Sequence, residues 1–417
     1  MHDILGDDQR YFQKIYTLVE DIAEFYGFQR IDTPILEQTE LFSKGTGSST
    51  DIVQKEMYSF RTKGGDYVSL RPEATPSIAR AYIQHGMISQ PQPVKLCHNI
   101  APFFRYERPQ AGRYREFHQF GFEVIGEKDP IIDAQVIQIA YTILEELGLK
   151  DLIIEINSIG DNQCRPYYKK SLVSYLKKHQ NALCADCRRR LKENPLRVLD
   201  CKKEKCKEVV SGAPQIIDYL CEECHNHFKE VLEILDEIEL PYRLNPFLVR
   251  GLDYYTKTVF EILEENEKEK NQGTLTAGGR YDTLIKLLGG RDTPACGGAG
   301  GVERIIEAMK RKEVKMSQPV LPRVFLAQLG GLAKRKSLKL LERFRKAKIP
   351  VAESLSKGSL KAQLRIADKL KVKYTLILGQ KEALEESVII REMETRKQKT
   401  VKLDKIITEI RKRLKKS

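Results

Sequence analysis

No run of about eighteen apolar residues occurs in this sequence, so a membrane-spanning helix is not expected. Its first residues, MHDILGDDQRYFQ, carry neither the basic nor the apolar stretch of a secretory leader. Nucleotide fingerprints are missing too. Neither G-x-G-x-x-G nor G-x4-G-K-[ST] stands in the strand-to-helix setting that would make it a phosphate cradle. A disulfide framework is not expected either, because nine cysteines without an export signal read as reduced thiols or metal ligands. These absences point to the cytosol, and 417 residues allow two or three domains with an ample core.

Charge is plentiful, and it is placed unevenly. The formal net charge is +13, yet Arg323 to Ser417 alone holds 27 Lys and Arg against 10 Asp and Glu. The preceding residues hold 44 against 48. A mildly acidic body with a basic C-terminal part suggests a polyanion held mainly by that part, with solvated helix faces as the alternative.

The stretch around which the chain is organised is FFRYERPQAGRYREFHQFGFEVIG, from Phe103 to Gly126. Two β-rich arms flank a cationic turn, Arg108-Pro109-Gln110-Ala111-Gly112-Arg113. Partial period-two alternation puts Arg105, Glu107, Arg115, Gln119 and Glu123 on one face of an antiparallel pair. Burying such a face without a polar ligand is costly. Phe103, Phe104, Phe117, Phe120 and Phe122 frame it, which favours a site for a zwitterion and a nucleotide over a solvated charged hairpin.

Phe104-Arg105-Tyr106-Glu107, with the loop and Arg113, resembles motif 2 of the class II aminoacyl-tRNA synthetases, and RYREFHQFGFEVIG resembles its histidyl-tRNA synthetase form. Further matches follow in that family's order over nearly the whole chain: TPILEQTELF, LRPEATPSIAR, RGLDYYTKTVFEI, AGGRYDTLI and GVERI. The resemblance implies an α+β fold in which residues 1–322 form a catalytic domain with an antiparallel sheet flanked by helices. A helical insertion at about 163–241 and a C-terminal α/β anticodon-binding domain at 323–417 are also implied. Family members usually begin a few residues earlier, with a short strand.

Along the chain, Asp7 and Asp8 lead a helix with Tyr11, Ile15, Leu18, Ile22 and Phe25 at helical spacing, closed by Gly27. Pro34 marks an edge strand; the resemblance makes this stretch part of a homodimer interface. Residues 43–65, rich in Gly, Ser and Thr, read as a mobile loop that orders on substrate. A strand, YVSLRPEAT, runs into helix 76–86, and Asp133 to Leu147 reads as an amphipathic helix before a buried strand, LIIEINSI. After RGLDYYTKTVFEI comes a charged turn at 264–272. TLTAGGRYDTLIKLLGG then reads as strand into helix, and CGGAGGVERIIEAM as a glycine-rich turn into a helix. Small residues there allow a flat base to approach the sheet closely; the family usually has a bulky residue where Gly298 stands. Beyond the linker at 317–322, strands and helices alternate as a compact α/β domain.

By resemblance, Glu73, Thr75 and Gln119 bind the α-amino group of histidine. On its residues alone, Glu73 could equally pair with Arg71 or help start the following helix. Arg105 is expected on the α-phosphate and the substrate carboxylate, Arg113 and Arg304 on the β,γ end of ATP with Glu107 nearby, and Phe117 on adenine. A pocket for imidazole needs partners for two nitrogens. Glu123 and Tyr255 would supply them, with Tyr281 closing the pocket. Arg250 either pairs with Asp253 or, together with Arg105, serves the reacting centre. Mg²⁺ should bridge phosphates with few protein ligands.

Six cysteines lie between 184 and 224, in C-x2-C, C-x4-C and C-x2-C spacing. Cys184, Cys187, Cys221 and Cys224 could hold one structural zinc, with free buried thiols as the alternative. The expected activity is a histidine–tRNA ligase acting on ATP, L-histidine and tRNA(His). A non-catalytic histidine-binding regulatory paralogue and an RNA-sensing module are the rivals. The first usually loses part of the arginine set and lacks the C-terminal domain, whereas Arg105, Arg113, Arg250, Arg304 and the basic domain are all present here.

Overall fold

The computed structural model describes residues 3–108, 112–265, 273–316, 321–356 and 358–415. Pro109, Gln110 and Ala111 of the hairpin tip, most of the charged turn at 264–272, and most of the linker at 317–322 lie outside them. Two compact units are formed, Met1–Met316 and Ser317–Ser417. Among the described residues no helix is long and apolar enough to cross a membrane.

The first unit is built on an eight-stranded sheet. Its strand order is Gln29–Arg30, Val94–Phe104, Glu116–Ile125, Ala295–Gly301, Thr274–Arg280, Thr256–Glu264, Leu152–Ser158 and Tyr242–Leu244. The two outermost pairings are parallel and all the others antiparallel. Period two sorts the side chains of Glu116–Ile125. Phe120, Phe122 and Val124 enter a core with helices Asp7–Phe25, Pro130–Glu146, Glu222–Glu237 and Val302–Arg311. Phe117, Gln119 and Glu123 face the other way, into a cavity.

Three elements are tied together by a buried ionic cluster. Arg280, fully buried at the end of its strand, holds Asp133 at 2.7 Å, and His227 Nε2 meets the same carboxylate at 2.7 Å. Burial alone would raise Asp133, but Arg280 and His227 bring it down to about 2. Asp133, expected to lead its helix, therefore lies one turn inside it. Asp129 caps the helix instead, accepting from the Ile131 N–H at 3.0 Å, with Pro130 in the first turn.

Two expectations are corrected. Residues 43–65 include the end of helix Thr39–Thr46, a wide helical turn at Ile52–Glu56 and strand Ser59–Arg61. Thr46, Thr50 and Ile52 are buried within it, anchors that its small residues obscure. The glycines of CGGAGG form the strand Ala295–Gly301, inside the sheet. Their role there is steric. A Cβ at Gly297 would collide with Glu123 Oε2, and one at Gly278 with the carbonyl of Gly297. Strand Leu36–Gln38 does lie at the edge of a small three-stranded sheet.

The second unit carries a five-stranded sheet in the order Val351–Glu353, Val324–Gln328, Tyr374–Leu378, Ser387–Glu392, Gln398–Lys402. Helices Gly331–Lys346 and Ile406–Lys415 cover one face, and Leu360–Lys369 contributes to a separate cluster with Phe325 and Ile377.

Candidate active site

A cavity of about 710 Å³ opens on the sheet face opposite the helical core, and Glu73, Thr75, Arg105, Glu107, Arg113, Phe117, Gln119, Glu123, Arg250, Tyr255, Tyr281 and Arg304 all line it. These twelve lie on five separate stretches of the chain, residues 73–75, 105–123, 250–255, 281 and 304, that the fold brings together. Arg115 and four of the five framing phenylalanines do not line it. Arg115 sits over the Tyr106 ring at 4.1 Å, and Phe103, Phe120 and Phe122 are buried in the two cores. Phe104, at a strand end, is half-buried, so Phe117 alone supplies the expected aromatic surface.

Two buried carboxylates form one part of the site. Glu73 accepts from Thr46 Oγ1 at 2.5 Å and from the Tyr254 hydroxyl at 2.7 Å. It neither pairs with Arg71, whose guanidinium donates to the carbonyls of Pro102 and Thr33, nor caps the helix Thr75–Gln84. Glu123 accepts from Thr75 Oγ1 at 2.7 Å and from the Tyr281 hydroxyl. Burial pushes Glu123 up to about 7, against the pull of these two donors, and raises Glu73 as well. Tyr255 is pushed up to about 12, chiefly by burial, and stays a neutral hydroxyl.

Guanidinium groups form the other part. Arg105 donates to the Pro72 carbonyl at 2.9 Å and lies 5.4 Å from the Phe117 ring centre. Arg113 is 3.5 Å from Glu107. Arg304 donates to the Thr274 carbonyl at 3.1 Å, and burial followed by the charge of Arg113 lowers its pKa. Arg250 pairs with Glu261, not with Asp253, whose oxygens accept from Ser49 at 2.9 Å and Asn194 at 2.8 Å. Arg250 Nε is buried without a partner, and an unsatisfied donor in a cavity wall fits an anionic ligand.

Sequence reasoning passed over several lining or supporting groups. Thr46 and Tyr254 hold Glu73, and Glu303 accepts from the His118 N–H at 2.9 Å. His98 lines the cavity, and burial with the nearby Arg71 charge drops it to about 3, against a raising interaction with the Gln119 backbone. From the inserted helical region come Arg190, Arg197, Asp200 and Lys202. Adjacency to Tyr255 and the Thr-Gly-Ser run at 46–48 were the available signals for Tyr254 and Thr46.

The four cysteines expected to share one metal are not together. Cys184 and Cys187 stand with Cys201 and Cys206, whereas Cys221 and Cys224 stand with Asp161 and Cys164. Spacing alone pairs the two C-x2-C units, but the fold places each beside a different partner.

Residues 1–305 match the family described as histidyl-tRNA synthetase, and residues 324–413 match an anticodon binding domain. The chain belongs to the histidyl-tRNA synthetase family. It is 46% identical over 412 residues to a histidine–tRNA ligase of Dehalococcoides mccartyi, covering 99% of this chain and 98% of that one. A Desulfitobacterium hafniense histidine–tRNA ligase is 45% identical, over 94% of this chain and 92% of its own length. Among solved structures, apo histidyl-tRNA synthetase of S. aureus superposes with a TM-score of 0.79 at 33% identity, covering 98% and 97% of the two chains. Membership in this family accounts for the order of the motifs and for the anticodon-binding unit at the C-terminus.

Proposed function

We propose that the protein joins L-histidine to its cognate tRNA in two steps within this cavity. An oxygen of the histidine carboxylate attacks the α-phosphorus of ATP, the bond to the β-phosphate breaks, and pyrophosphate leaves. The histidyl group then passes from the adenylate to the 3′ end of tRNA(His), releasing AMP. One observation carries the reading: hydroxyl-held carboxylates and the guanidinium groups of Arg105, Arg113, Arg250 and Arg304 line the same cavity.

Two anions must meet in the first step, so catalysis depends on neutralising charge and aligning the reactants. Arg105 and Arg250 act on the carboxylate and the α-phosphate; Arg113 and Arg304 hold the β,γ end. Glu73, Thr75 and Gln119 take the ammonium group. Glu123, with Tyr255 and Tyr281, takes the imidazole. Phe117 offers a face for adenine.

Magnesium would come with the triphosphate. Among the described residues the groups able to hold a metal are the two thiol-containing ones, with no all-carboxylate set. Glu107 and Glu261, on the arginine side, are the carboxylates that would reach such an ion. Bound there, it would offset phosphate charge.

The basic C-terminal unit is assigned to the tRNA. Ile35 and Leu36, about 45% and 46% exposed at the edge strand, suit a surface covered by a second copy in a homodimer. Histidine-dependent exchange of pyrophosphate into ATP tests the first step directly. Removing residues 323–417 should depress tRNA charging far more than this exchange, and added salt should weaken tRNA binding steeply. Equal loss of both half-reactions in a folded truncation would remove this division of labour.

A further inference from the structure

Seven of the nine cysteines gather into two clusters outside the chemistry described above, and only Cys97 and Cys296 stand apart. One cluster is Cys184, Cys187, Cys201 and Cys206, all buried, with one sulfur from each within 4.8 Å of the others. Cys184 Sγ and Cys201 Sγ are 3.9 Å apart. A disulfide needs about 2.05 Å, so these are not bonded pairs. A tetrahedral zinc with Zn–S bonds of about 2.3 Å sets its sulfurs about 3.8 Å apart, which this arrangement meets with small adjustments. Cys184 is the N-cap of helix Ala185–Glu193, and its backbone N–H donates to Cys206 Sγ at 3.3 Å. Such donors favour thiolate sulfur. Four thiolates around Zn²⁺ leave two negative charges, and the chain flanks them with Arg188, Arg189, Arg190, Lys202 and Lys203.

The second cluster is independent of the first. Asp161 and Cys164 form a D-x2-C pair, and Cys221 and Cys224 a C-x2-C pair. One ligand atom from each of the four lies within 4.8 Å of the others. Here too each pair supplies an N-cap cysteine, Cys164 for helix Arg165–Lys178 and Cys221 for helix Glu222–Glu237. Asp161 Oδ1 is held in place by the N–H groups of Gln163, at 2.8 Å, and Cys164, at 3.3 Å. One carboxylate and three thiolates form a closed four-ligand set of the kind that structural zinc takes.

We propose that the inserted helical region carries two structural zinc ions, one held by Cys184, Cys187, Cys201 and Cys206 and the other by Asp161, Cys164, Cys221 and Cys224. Their placement gives each a task. The second joins the entry to the insertion, just after strand Leu152–Ser158, to its exit at helix Glu222–Glu237. The first fixes the segment from Arg197 to Lys203, which lines the active cavity and whose Arg197 donates to the Arg250 carbonyl at 3.3 Å. Neither site has an open position, so the ions hold structure and take no part in bond making.

Full-length protein purified under reducing conditions without chelator should contain about two zinc per chain by elemental analysis. Cys201→Ser and Cys221→Ser, both at the less buried positions of their sets, should each lower this to about one. Because either variant could misfold, the wild-type chain provides a second readout. Stripped and reloaded with Co²⁺, it should show the visible d–d bands and near-ultraviolet thiolate charge transfer of tetrahedral sulfur coordination, at two equivalents. Histidine-dependent exchange is a separate measurement, so failure here leaves the ligase reading untouched. Protein that holds no zinc and takes up no Co²⁺ overturns the proposal. A single equivalent lost in one variant and kept in the other overturns one of the two sites, and iron in place of zinc overturns the choice of metal.

Discussion

In one part of the cavity two buried carboxylates, Glu73 and Glu123, are each met by two neutral hydroxyls. In the other, the guanidinium groups of Arg105, Arg113, Arg250 and Arg304 stand with Glu107, Glu261 and the nearby Glu56. The first arrangement holds its carboxylates with hydroxyls alone, whereas the second gathers cations beside carboxylates. Hydroxyl donors position a carboxylate without neutralising it, so Glu73 and Glu123 remain available to N–H groups, and burial raises both in the ligand-free state. Clustered arginines do the reverse: burial and then the charge of Arg113 lower Arg304, and an incoming polyanion relieves that repulsion. One cavity thus has a place for the cationic and imidazole groups of an amino acid and another for a triphosphate, with Arg105 and Arg250, whose charges both act on Glu73, at the border.

Breaking the border should have the largest effect. Arg250→Ala removes a buried charge from the point where carboxylate meets phosphate, and the loss of one such preorganised group typically costs about a hundred- to a thousandfold in rate. We expect at least about that loss in single-turnover adenylate formation at saturating substrates. Glu261 keeps its bond from Thr274 Oγ1 at 2.6 Å, so the fold should survive, as circular dichroism would report. Near-normal adenylate formation would remove Arg250 from the chemistry.

A smaller effect should separate the two parts. Glu123→Gln should raise the KM for histidine about tenfold to a hundredfold, the range expected for a hydrogen bond to a charged group, while the KM for ATP stays put. Parallel changes in both constants would mean the carboxylate supports the whole cavity. Tyr254→Phe tests the hydroxyl support itself. Losing one neutral hydrogen bond to Glu73 should weaken histidine binding only about two- to tenfold. An unchanged histidine KM would show that Thr46 alone suffices.

The legibility of this division in the sequence varied with how local its causes are. Alternation along Glu116–Ile125 revealed the polar face, because period two is a property of the strand alone. It overreached at Arg115 and Phe104, which lie at or beyond strand ends, where alternation no longer sets direction. Partners distant in sequence were not readable. Glu261, eleven residues after Arg250, meets it only because the chain folds back between them, and nothing near Glu73 announces Thr46, since that pairing depends on how separate segments meet. The cysteines show the same limit: the C-x2-C spacing was visible, but which pairs share a cluster is decided by the paths of the intervening helices. Glycine misled in its own way. CGGAGG reads as a turn by composition, yet it is a central strand because its neighbours need the space that side chains would fill.

The last prediction concerns stability and needs no substrate. Glu123 has an ordinary value of 4.5 and is raised to about 7 in the fold, first by burial and then by the neighbouring Glu73. A raised carboxyl binds a proton more tightly folded than unfolded. Its contribution is therefore fully present below the unfolded value and is lost as pH rises toward the folded one. The slope over that window is at most about 1.4 kcal/mol per pH unit. Glutamine at this position has no proton to lose, and its amide can still pair with the hydroxyls of Thr75 and Tyr281. Ligand-free Glu123→Gln protein should thus gain on the wild type between pH 5 and pH 7 and hold that gain above it. Melting temperatures should differ by at most about 6–11 °C, from about 2.8 kcal/mol over two pH units at about 2–4 °C per kcal/mol, a factor that falls as chains lengthen. Saturating histidine should shrink the difference at pH 8, because the ligand then bonds to the charged form of Glu123 in the wild type. Melting curves that run parallel for the two proteins from pH 5 to pH 8 would mean that Glu123 keeps an ordinary carboxyl value despite its burial, and would leave the contrast with the arginines resting on geometry alone.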